Sequence, residues 1–147
     1  MTMRLRAAVA GMCATVMFPG LAHADPVVPH LGDGCSSEIA GAMTLLPDGQ
    51  TYAICQLVTD NGVWASVPTP FDPNDTWLSY GPTITLHGQG MRNPNLLSGD
   101  WTATPLDPQS SCRVQQQTVI EAGKLSAQQV TEGAPGRSLD VQMQPKL

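Results

Sequence analysis

Apolar and polar residues alternate along three segments of this chain, at residues 83–87, 100–104 and 138–144. Successive side chains of a strand point to opposite faces of a sheet, so this alternation predicts half-buried β-strands. In the second segment it places Trp101 and Ala103 on the buried face. Residues 51–59 are instead rich in strand formers on both faces, which predicts a strand buried on both sides.

A hairpin is predicted directly after this last strand. Asp60-Asn61-Gly62 favours a tight turn, because Asn-Gly readily adopts the positive φ values of a type I′ turn. Residues 63–67 then return as the partner strand. Prolines at positions 68, 70 and 73 predict a loop over residues 68–74.

One helix is predicted ahead of these strands. Ser36 is a suitable N-cap, and Ile39, Met43 and Leu46 recur on one helical face up to the proline at position 47. Residues 112–122 fit a helix or a strand, and their Val, Thr and Ile content favours a strand. The whole pattern predicts an antiparallel β-sandwich or open barrel of about seven short strands, with one short N-terminal helix.

The N-terminal segment is predicted to be a leader outside the fold. Arg4 and Arg6 begin it with positive charge, an apolar run follows, and Ala22-His23-Ala24 matches a cleavage pattern. We expect a signal peptide over residues 1–24 cleaved near Ala24, a flexible lead-in over 25–34 and a single β-rich domain over 35–147. The apolar run is shorter than the ~20 residues of a membrane-spanning helix, so we expect a secreted protein without a transmembrane anchor, released or cell-wall associated.

The charge balance argues against one class of partner. The chain has 12 acidic and 7 basic residues, and loss of Arg4 and Arg6 with the leader would take its formal charge from −5 to −7. Such a surface repels phosphate backbones, and we therefore expect no nucleic-acid partner.

Three cysteines follow the leader: Cys35, Cys55 and Cys112. An oxidising compartment favours pairing, and Cys35 and Cys55 flank one short unit. We predict a disulfide between these two, closing a loop of about 20 residues and contributing about 3 kcal/mol in the chain-entropy account. Cys112 is then expected as a thiol or as half of an intermolecular disulfide.

The sequence predicts no catalytic residue, metal site or cofactor. His87 lies alone in the domain, whereas a hydrolase needs a nucleophile, a base and an orienting group that converge. Near Cys112 only Arg113 would lower a thiol pKa. The acidic loop at residues 72–75 lacks the spacing of a calcium loop, so turn formation explains it better.

Four aromatic residues are the best candidates for a ligand surface: Trp64, Trp77, Tyr80 and Trp101. Their apolar area and hydrogen-bonding tips suit a carbohydrate face, a lipid or a protein partner. The alternative is that they fill the core and its rim, which a chain so short of large aromatic residues favours.

Four short segments resemble a group of uncharacterised secreted proteins of mycobacteria and related actinobacteria: residues 72–77 (DPNDTW), 81–83 (GPT), 87–88 (HG) and 99–105 (GDWTATP). The resemblance implies an exported all-β domain of antigen-like or envelope-associated character, and it carries no activity, cofactor or catalytic residue. It also implies a further strand and cysteine beyond Leu147. Truncation of the domain at its C-terminus is therefore an expectation, in line with the odd number of cysteines.

These observations lead to one main hypothesis and two others. The main one is an exported, non-catalytic β domain that meets an envelope or extracellular protein or glycan through its surface. The second is a small-ligand or carbohydrate-binding module that uses exposed tryptophans. The third, which the sequence supports least, is a hydrolase acting through His87.

Overall fold

The computed structural model describes residues 2–7, 27–80 and 83–145 of the chain. Strands dominate this part, and the prediction of a mainly β protein is confirmed. In chain order the strands are β1 Thr2–Ala7, β2 Gly34–Cys35, β3 Met43–Leu45, β4 Tyr52–Val58, β5 Asn61–Val67, β6 Leu78–Ser79, β7 Gly99–Ala103, β8 Arg113–Gln116, β9 Val119–Glu121, β10 Lys124–Leu125, β11 Gln129–Glu132 and β12 Leu139–Met143.

The first sheet has the order β2-β5-β4-β3 and is antiparallel throughout. A disulfide joins Cys35 on β2 to Cys55 on β4, as predicted, so we call it the disulfide sheet. Apolar residues on both faces of β4 are also confirmed. Tyr52 and Ile54 pack toward one core cluster, and Ala53 and Cys55 belong to another.

The hairpin between β4 and β5 is confirmed, but its turn lies two residues earlier than predicted. Val58 pairs with Asn61, so Thr59 and Asp60 form the turn, and Thr59 takes a φ of 61°. Gly62 lies outside the turn and is required for another reason. A Cβ there would collide with the backbone oxygen of Cys35 and lie 2.8 Å from its Sγ. Gly62 therefore lets β2 approach β5 at the disulfide.

The predicted helix is wrong beyond its first turn. Ser36 does act as an N-cap, its Oγ accepting from the backbone N–H of Glu38, but only a 3-10 helix over Ser37–Ile39 follows. Gly41 has a φ of +82°, which interrupts any helical continuation. The next residues form β3 and pair with β4, because ladder bonds and burial outweigh a weak helical periodicity.

The second sheet has the order β12-β7-β1-β6, and we call it the β7 sheet. β12 is antiparallel to β7, whereas β1 runs parallel to both β7 and β6. A parallel bridge between Met43 and Trp77 links this sheet to β3 of the first, and the strands curl around the core. The predicted strands at residues 100–104 and 138–144 are thus confirmed as β7 and β12.

The predicted strand at residues 83–87 is not formed, although its alternation of burial is present. Ile84 and Leu86 are half-buried while Thr83, Thr85 and His87 are exposed. The backbone N–H of His87 donates to the Asn95 side chain at 2.8 Å, so this extended segment is held by a loop instead of a ladder. With twelve strands in several ladders of the described residues, the seven-strand sandwich is not confirmed.

The strand predicted at residues 112–122 is present in two pieces. β8 pairs with β11 and β9 pairs with β10, both antiparallel, to make a two-stranded arm over residues 113–132. Most residues of this arm are exposed, including apolar Ile120, Leu125 and Val130. The arm contributes little to the core, which lies between the two sheets.

The predicted leader contributes backbone to the fold. β1 lies inside residues 1–24, so cleavage near Ala24 would remove a strand of the β7 sheet. The rest of the predicted leader and its cleavage site lie outside the described residues. In the lead-in, the N–H of Gly32 donates to Trp64 and the N–H of Trp64 donates to Asp33, both at 2.9 Å. These two bonds fasten the lead-in to β5, and its flexibility stays a prediction.

Candidate functional site

Two of the four aromatic residues predicted as a ligand surface, Trp77 and Trp101, are buried. Trp77 and Trp101 are 0% and 1% exposed, and both lie in a core cluster with Met43, Leu96 and Val141. The Nε1–H of Trp77 donates to the carbonyl of Asn95 at 3.2 Å, and that of Trp101 to the carbonyl of Leu97 at 2.9 Å. Both indoles are satisfied internally, so they are core residues rather than an exposed ligand surface.

Neighbouring aromatic rings enclose Trp77. Tyr52 packs edge-on against Trp77 with ring centroids 5.9 Å apart, and Phe71 lies at 6.2 Å from the same ring. Tyr52 and Phe71 meet each other at 4.9 Å. The loop over residues 68–74 thus delivers its one aromatic side chain to the core and covers Trp77.

The other two candidates contact each other: Trp64 lies on β5 of the disulfide sheet, and Tyr80 directly follows β6 of the β7 sheet. The rings of Trp64 and Tyr80 form an edge-to-face pair with centroids 6.4 Å apart. They line a surface pocket of about 230 Å³. The rest of its wall comes from the lead-in, β2 and the 3-10 turn, namely Val27, Pro29, Asp33, Gly34, Cys35, Ser36 and Ile39. We call it the Trp64 pocket, and two of the predicted ligand residues lie in its wall.

The local sequence explains why the pocket forms there. The Cys35–Cys55 bond fixes β2 beside β5, and the backbone bonds of Gly32 and Asp33 to Trp64 lay the lead-in over the sheet. His30 Nδ1 lies 3.3 Å from an Asp33 carboxylate oxygen, which steadies the rim. Trp64 itself is 3% exposed, so little of its side chain is accessible from the pocket.

The pocket has both apolar and polar residues in its wall. Val27, Pro29, Ile39 and Trp64 are apolar, and Asp33, Ser36 and Tyr80 carry polar groups. Burial raises the pKa of Tyr80, which keeps its hydroxyl protonated at neutral pH. At about 230 Å³ the pocket is smaller than the roughly 300–1,000 Å³ of sites that enclose a whole drug-sized ligand.

The residues weighed as nucleophile and base lie in other parts of the structure. The Cys112 side chain is 0% exposed, and burial raises the pKa of its thiol, which lowers the thiolate fraction at neutral pH. The His87 side chain is exposed, and its carbonyl accepts from the N–H of Asn95 at 2.7 Å. What the structure shows for His87 is a backbone role in a loop.

The acidic loop at residues 72–75, before Trp77, holds neighbouring segments together through hydrogen bonds of Asn74. The side-chain amide of Asn74 donates to the carbonyl of Gly41 at 2.9 Å and to that of Thr76 at 3.2 Å. Its backbone N–H donates to Asn95. These bonds tie the loop to β3 and to the segment before β7. Across the described residues, no group of three or more His, Cys, Asp or Glu side chains is placed to hold a metal ion.

Sequence reasoning missed two sets of residues. Val27, Pro29 and Ile39 line the pocket but carry no motif, and their position follows only from the path of the lead-in. Asn95 organises the loops through its carbonyl, N–H and side chain, yet in the sequence it is only part of an Asn-Pro-Asn turn signal. A buried asparagine of this kind, 7% exposed, is recognised once the tertiary contacts are known.

Comparison with known proteins identifies no relative of this chain. No protein family, curated protein or solved structure matches it significantly. Its class therefore rests on its own features, a mainly β domain with one disulfide-closed sheet and a small aromatic pocket. Within the described residues, no helix is long and apolar enough to cross a membrane.

Proposed function

We propose that this chain is an exported, non-catalytic β domain that acts through its surface at the cell envelope or outside the cell. The Cys35–Cys55 disulfide carries the proposal, because thiols are kept reduced in the cytosol and such bonds persist in oxidising compartments. The positive start, apolar run and Ala22-His23-Ala24 pattern support the same destination.

Two observations support a role without catalysis. The thiol of Cys112 is buried with a raised pKa, which is the reverse of what activates a cysteine nucleophile. His87 lies on an exposed loop whose observed hydrogen bonds run through its backbone. The resemblance to secreted actinobacterial proteins points to the same surface-acting role.

Export is tested by following the protein into the medium. The full chain with a C-terminal tag is expressed in an actinobacterial host, and secreted and wall fractions are analysed by N-terminal sequencing and non-reducing mass spectrometry. We expect a product that begins at Asp25 and carries the Cys35–Cys55 bond. Ala24→Tyr is the control, since a bulky residue at the cleavage position blocks the leader peptidase. Retention of the whole chain in the cytoplasm contradicts the proposal, and a disulfide from Cys112 to Cys35 or Cys55 contradicts the pairing.

A second function, a small-ligand or carbohydrate-binding module, is favoured by the Trp64 pocket. The prediction from sequence required exposed tryptophans, and all three tryptophans are buried, Trp64 at 3% exposure. Trp64 nevertheless lines the pocket, together with the half-buried Tyr80. The hypothesis now concerns a ligand that inserts one ring or chain end beside the disulfide.

Tryptophan fluorescence tests this second function. The probes are methyl glucoside for a sugar ring and octanoate for an acyl chain, each titrated into the full chain. Binding at the pocket should quench or shift the emission of Trp64, and Tyr80→Ser should weaken it at least tenfold. Val58→Ser is the matched control, because Val58 is an exposed residue of the same sheet outside the pocket. If both probes leave the emission unchanged, the binding module is excluded for these two ligand types.

A further inference from the structure

β1 lies between β7 and β6 in the strand order of the β7 sheet. Its Thr2–Leu5 part pairs in parallel with β7, from Asp100 to Ala103. Its last two residues, Arg6 and Ala7, pair in parallel with Leu78 and Ser79 of β6. β1 therefore lies between two strands that are themselves brought together from distant parts of the sequence.

Removal of β1 would leave two strand edges unpaired. β7 at residues 100–103 and β6 at residues 78–79 would each lose the strand that pairs with their backbone, because they pair with successive parts of β1. Buried backbone groups of this kind are almost always paired in native proteins. The two edges together form a site that requires a strand, and we call it the β1 slot.

The walls of the β1 slot set the chemistry of its occupant. On β7, Trp101 and Ala103 are each 1% exposed, whereas Asp100 is exposed and Thr102 donates outward to Asp140 at 2.8 Å. Residues opposite one another in a parallel pair lie on the same face of the sheet. The occupant must therefore be apolar opposite Trp101 and Ala103, and polar residues are tolerated between those positions.

The second half of the slot is more enclosed. Leu78 and Ser79 of β6 are 2% and 3% exposed, so both faces of the sheet are covered at that point. The residues of β1 in these register positions fit the requirements: Met3 stands opposite Trp101, Leu5 opposite Ala103, and small Ala7 opposite Ser79.

We propose that the β1 slot is a strand-binding site, filled by residues 2–7 in the uncut chain and by an extended segment of a partner protein once the leader is removed. The partner segment runs parallel to β7 and has apolar residues at alternate positions, matching Met3 and Leu5. Strand addition of this type obtains affinity from main-chain hydrogen bonds and specificity from alternate side chains. Only the step of leader removal rests on the proposed export; the slot itself does not.

Peptide exchange tests the site on the full chain. The protein is made in the cytoplasm of a bacterial strain with an oxidising cytoplasm, so that the leader stays attached and the Cys35–Cys55 bond can form. A specific protease sequence replaces residues 18–23, and the chain is cut after folding. A fluorescent peptide of sequence TMRLRA, that of β1, is then added in excess and its anisotropy followed. We expect saturable binding of the peptide. Native mass spectrometry should show the cut fragment still bound before the peptide is added and displaced afterwards.

The matched control peptide is TRMLRA, which exchanges Met3 and Arg4. It has the same composition and charge but puts arginine opposite Trp101, and we expect at least tenfold weaker binding. Equal binding of the two peptides would overturn the proposal, because charge alone would explain it. Departure of the fragment with no peptide uptake would overturn it too, and dimerisation of the cut chain without uptake would assign the slot to a second copy.

A variant of the uncut chain gives an independent measurement. Combining Met3→Arg with Arg4→Met should speed amide hydrogen exchange at Asp100–Ala103 at least tenfold while exchange in β4 and β5 changes little. Unchanged exchange in β7 would refute the site. A chain that is never exported can still bind the peptide, and an exported chain without a slot cannot, so the two proposals fail separately.

Discussion

The two sheets of this protein are closed in different ways. The disulfide sheet is made from residues 34–67, through neighbouring antiparallel strands and one covalent bond. The β7 sheet collects strands from residues 2–7, 78–79, 99–103 and 139–143, and two of its three pairings are parallel. Local antiparallel pairing needs only short loops, whereas the second sheet must close long ones.

The two sheets therefore depend on different residues for their stability. In the disulfide sheet the bond between Cys35 and Cys55 restricts the unfolded chain. In the β7 sheet burial of large side chains, Trp101 above all, must offset the ordering of distant segments. Perturbing each source by itself should therefore affect one sheet more than the other.

The largest effect is expected from Trp101→Ala. Trp101 is 1% exposed in the core and lies opposite both Val141 on β12 and Met3 on β1. Truncation of a buried Trp to alanine costs about 3–5 kcal/mol, a large part of the roughly 5–15 kcal/mol that stabilises a domain. Urea denaturation should show this loss, with exchange in β7 and β12 rising first.

Trp101→Phe is the control for that variant. It keeps an aromatic ring in the core and removes the Nε1–H bond to Leu97, so we expect a loss of about 1–2 kcal/mol. If the alanine and phenylalanine variants were equally stable, the β7 sheet would not depend on the packing of Trp101.

The next effect is expected from removing the disulfide with the double variant Cys35→Ala and Cys55→Ala. A bond with a sequence separation of 20 contributes about 3 kcal/mol in the chain-entropy account. Denaturation should show this loss, and exchange should rise at β2 and β5 more than at β7. Adding reductant should destabilise the wild type and leave the double variant unchanged; a uniform rise over both sheets would remove the contrast between them.

A smaller effect tests how closely β2 approaches β5. Gly62→Ala would place a methyl group 2.8 Å from Cys35 Sγ and against its backbone oxygen, and such overpacking costs about 1–3 kcal/mol. Gly34→Ala, across the same pair of strands, is the control, because its Cβ would meet only the carbonyl of Gly62 at 3.9 Å. Equal melting temperatures for the two variants would contradict the close approach.

The same contrast explains which elements the sequence predicts. β4, β5 and the presence of a hairpin between them follow from strand formers close together in the chain, although the turn lies two residues before the predicted Asn61-Gly62. The disulfide follows from two cysteines 20 residues apart. The burial of Trp101 and Ala103 also follows from alternation. Each of these features depends on a pattern within a few residues.

The features that sequence reasoning missed depend on distant contacts. β6 has two residues, too few for any periodic pattern, and β1 has the charge and apolar pattern of a leader. Residues 83–87 alternate like a strand, yet their backbone is held by Asn95. In the wall of the Trp64 pocket, Trp64 and Tyr80 are candidates by residue type, whereas the positions of Val27, Pro29 and Ile39 depend on tertiary contacts.

The smallest effect concerns the turn that joins β3 to β4. The Asp48 carboxylate accepts from the Thr51 hydroxyl and from the N–H groups of Thr51 and Gln50, and these bonds lower the pKa of Asp48 below its ordinary value of 3.8. Because the folded pKa is the lower one, the contribution is fully present above pH 3.8 and is lost as the pH falls through the folded value. Solvent screens this exposed group, so the effect is modest.

Asp48→Asn removes the charge at that turn and keeps an acceptor. We expect the variant to be slightly less stable than the wild type at neutral pH, and the gap to close as denaturation is measured at pH values progressively below 3.8. Asp60→Asn is the matched control, since it makes the same charge change at the turn of the next hairpin, without the Thr51 hydroxyl. Parallel stability curves for the wild type and Asp48→Asn across this range would mean that the carboxylate does not hold the turn, and the stability of the disulfide sheet would then rest on its covalent bond and its core alone.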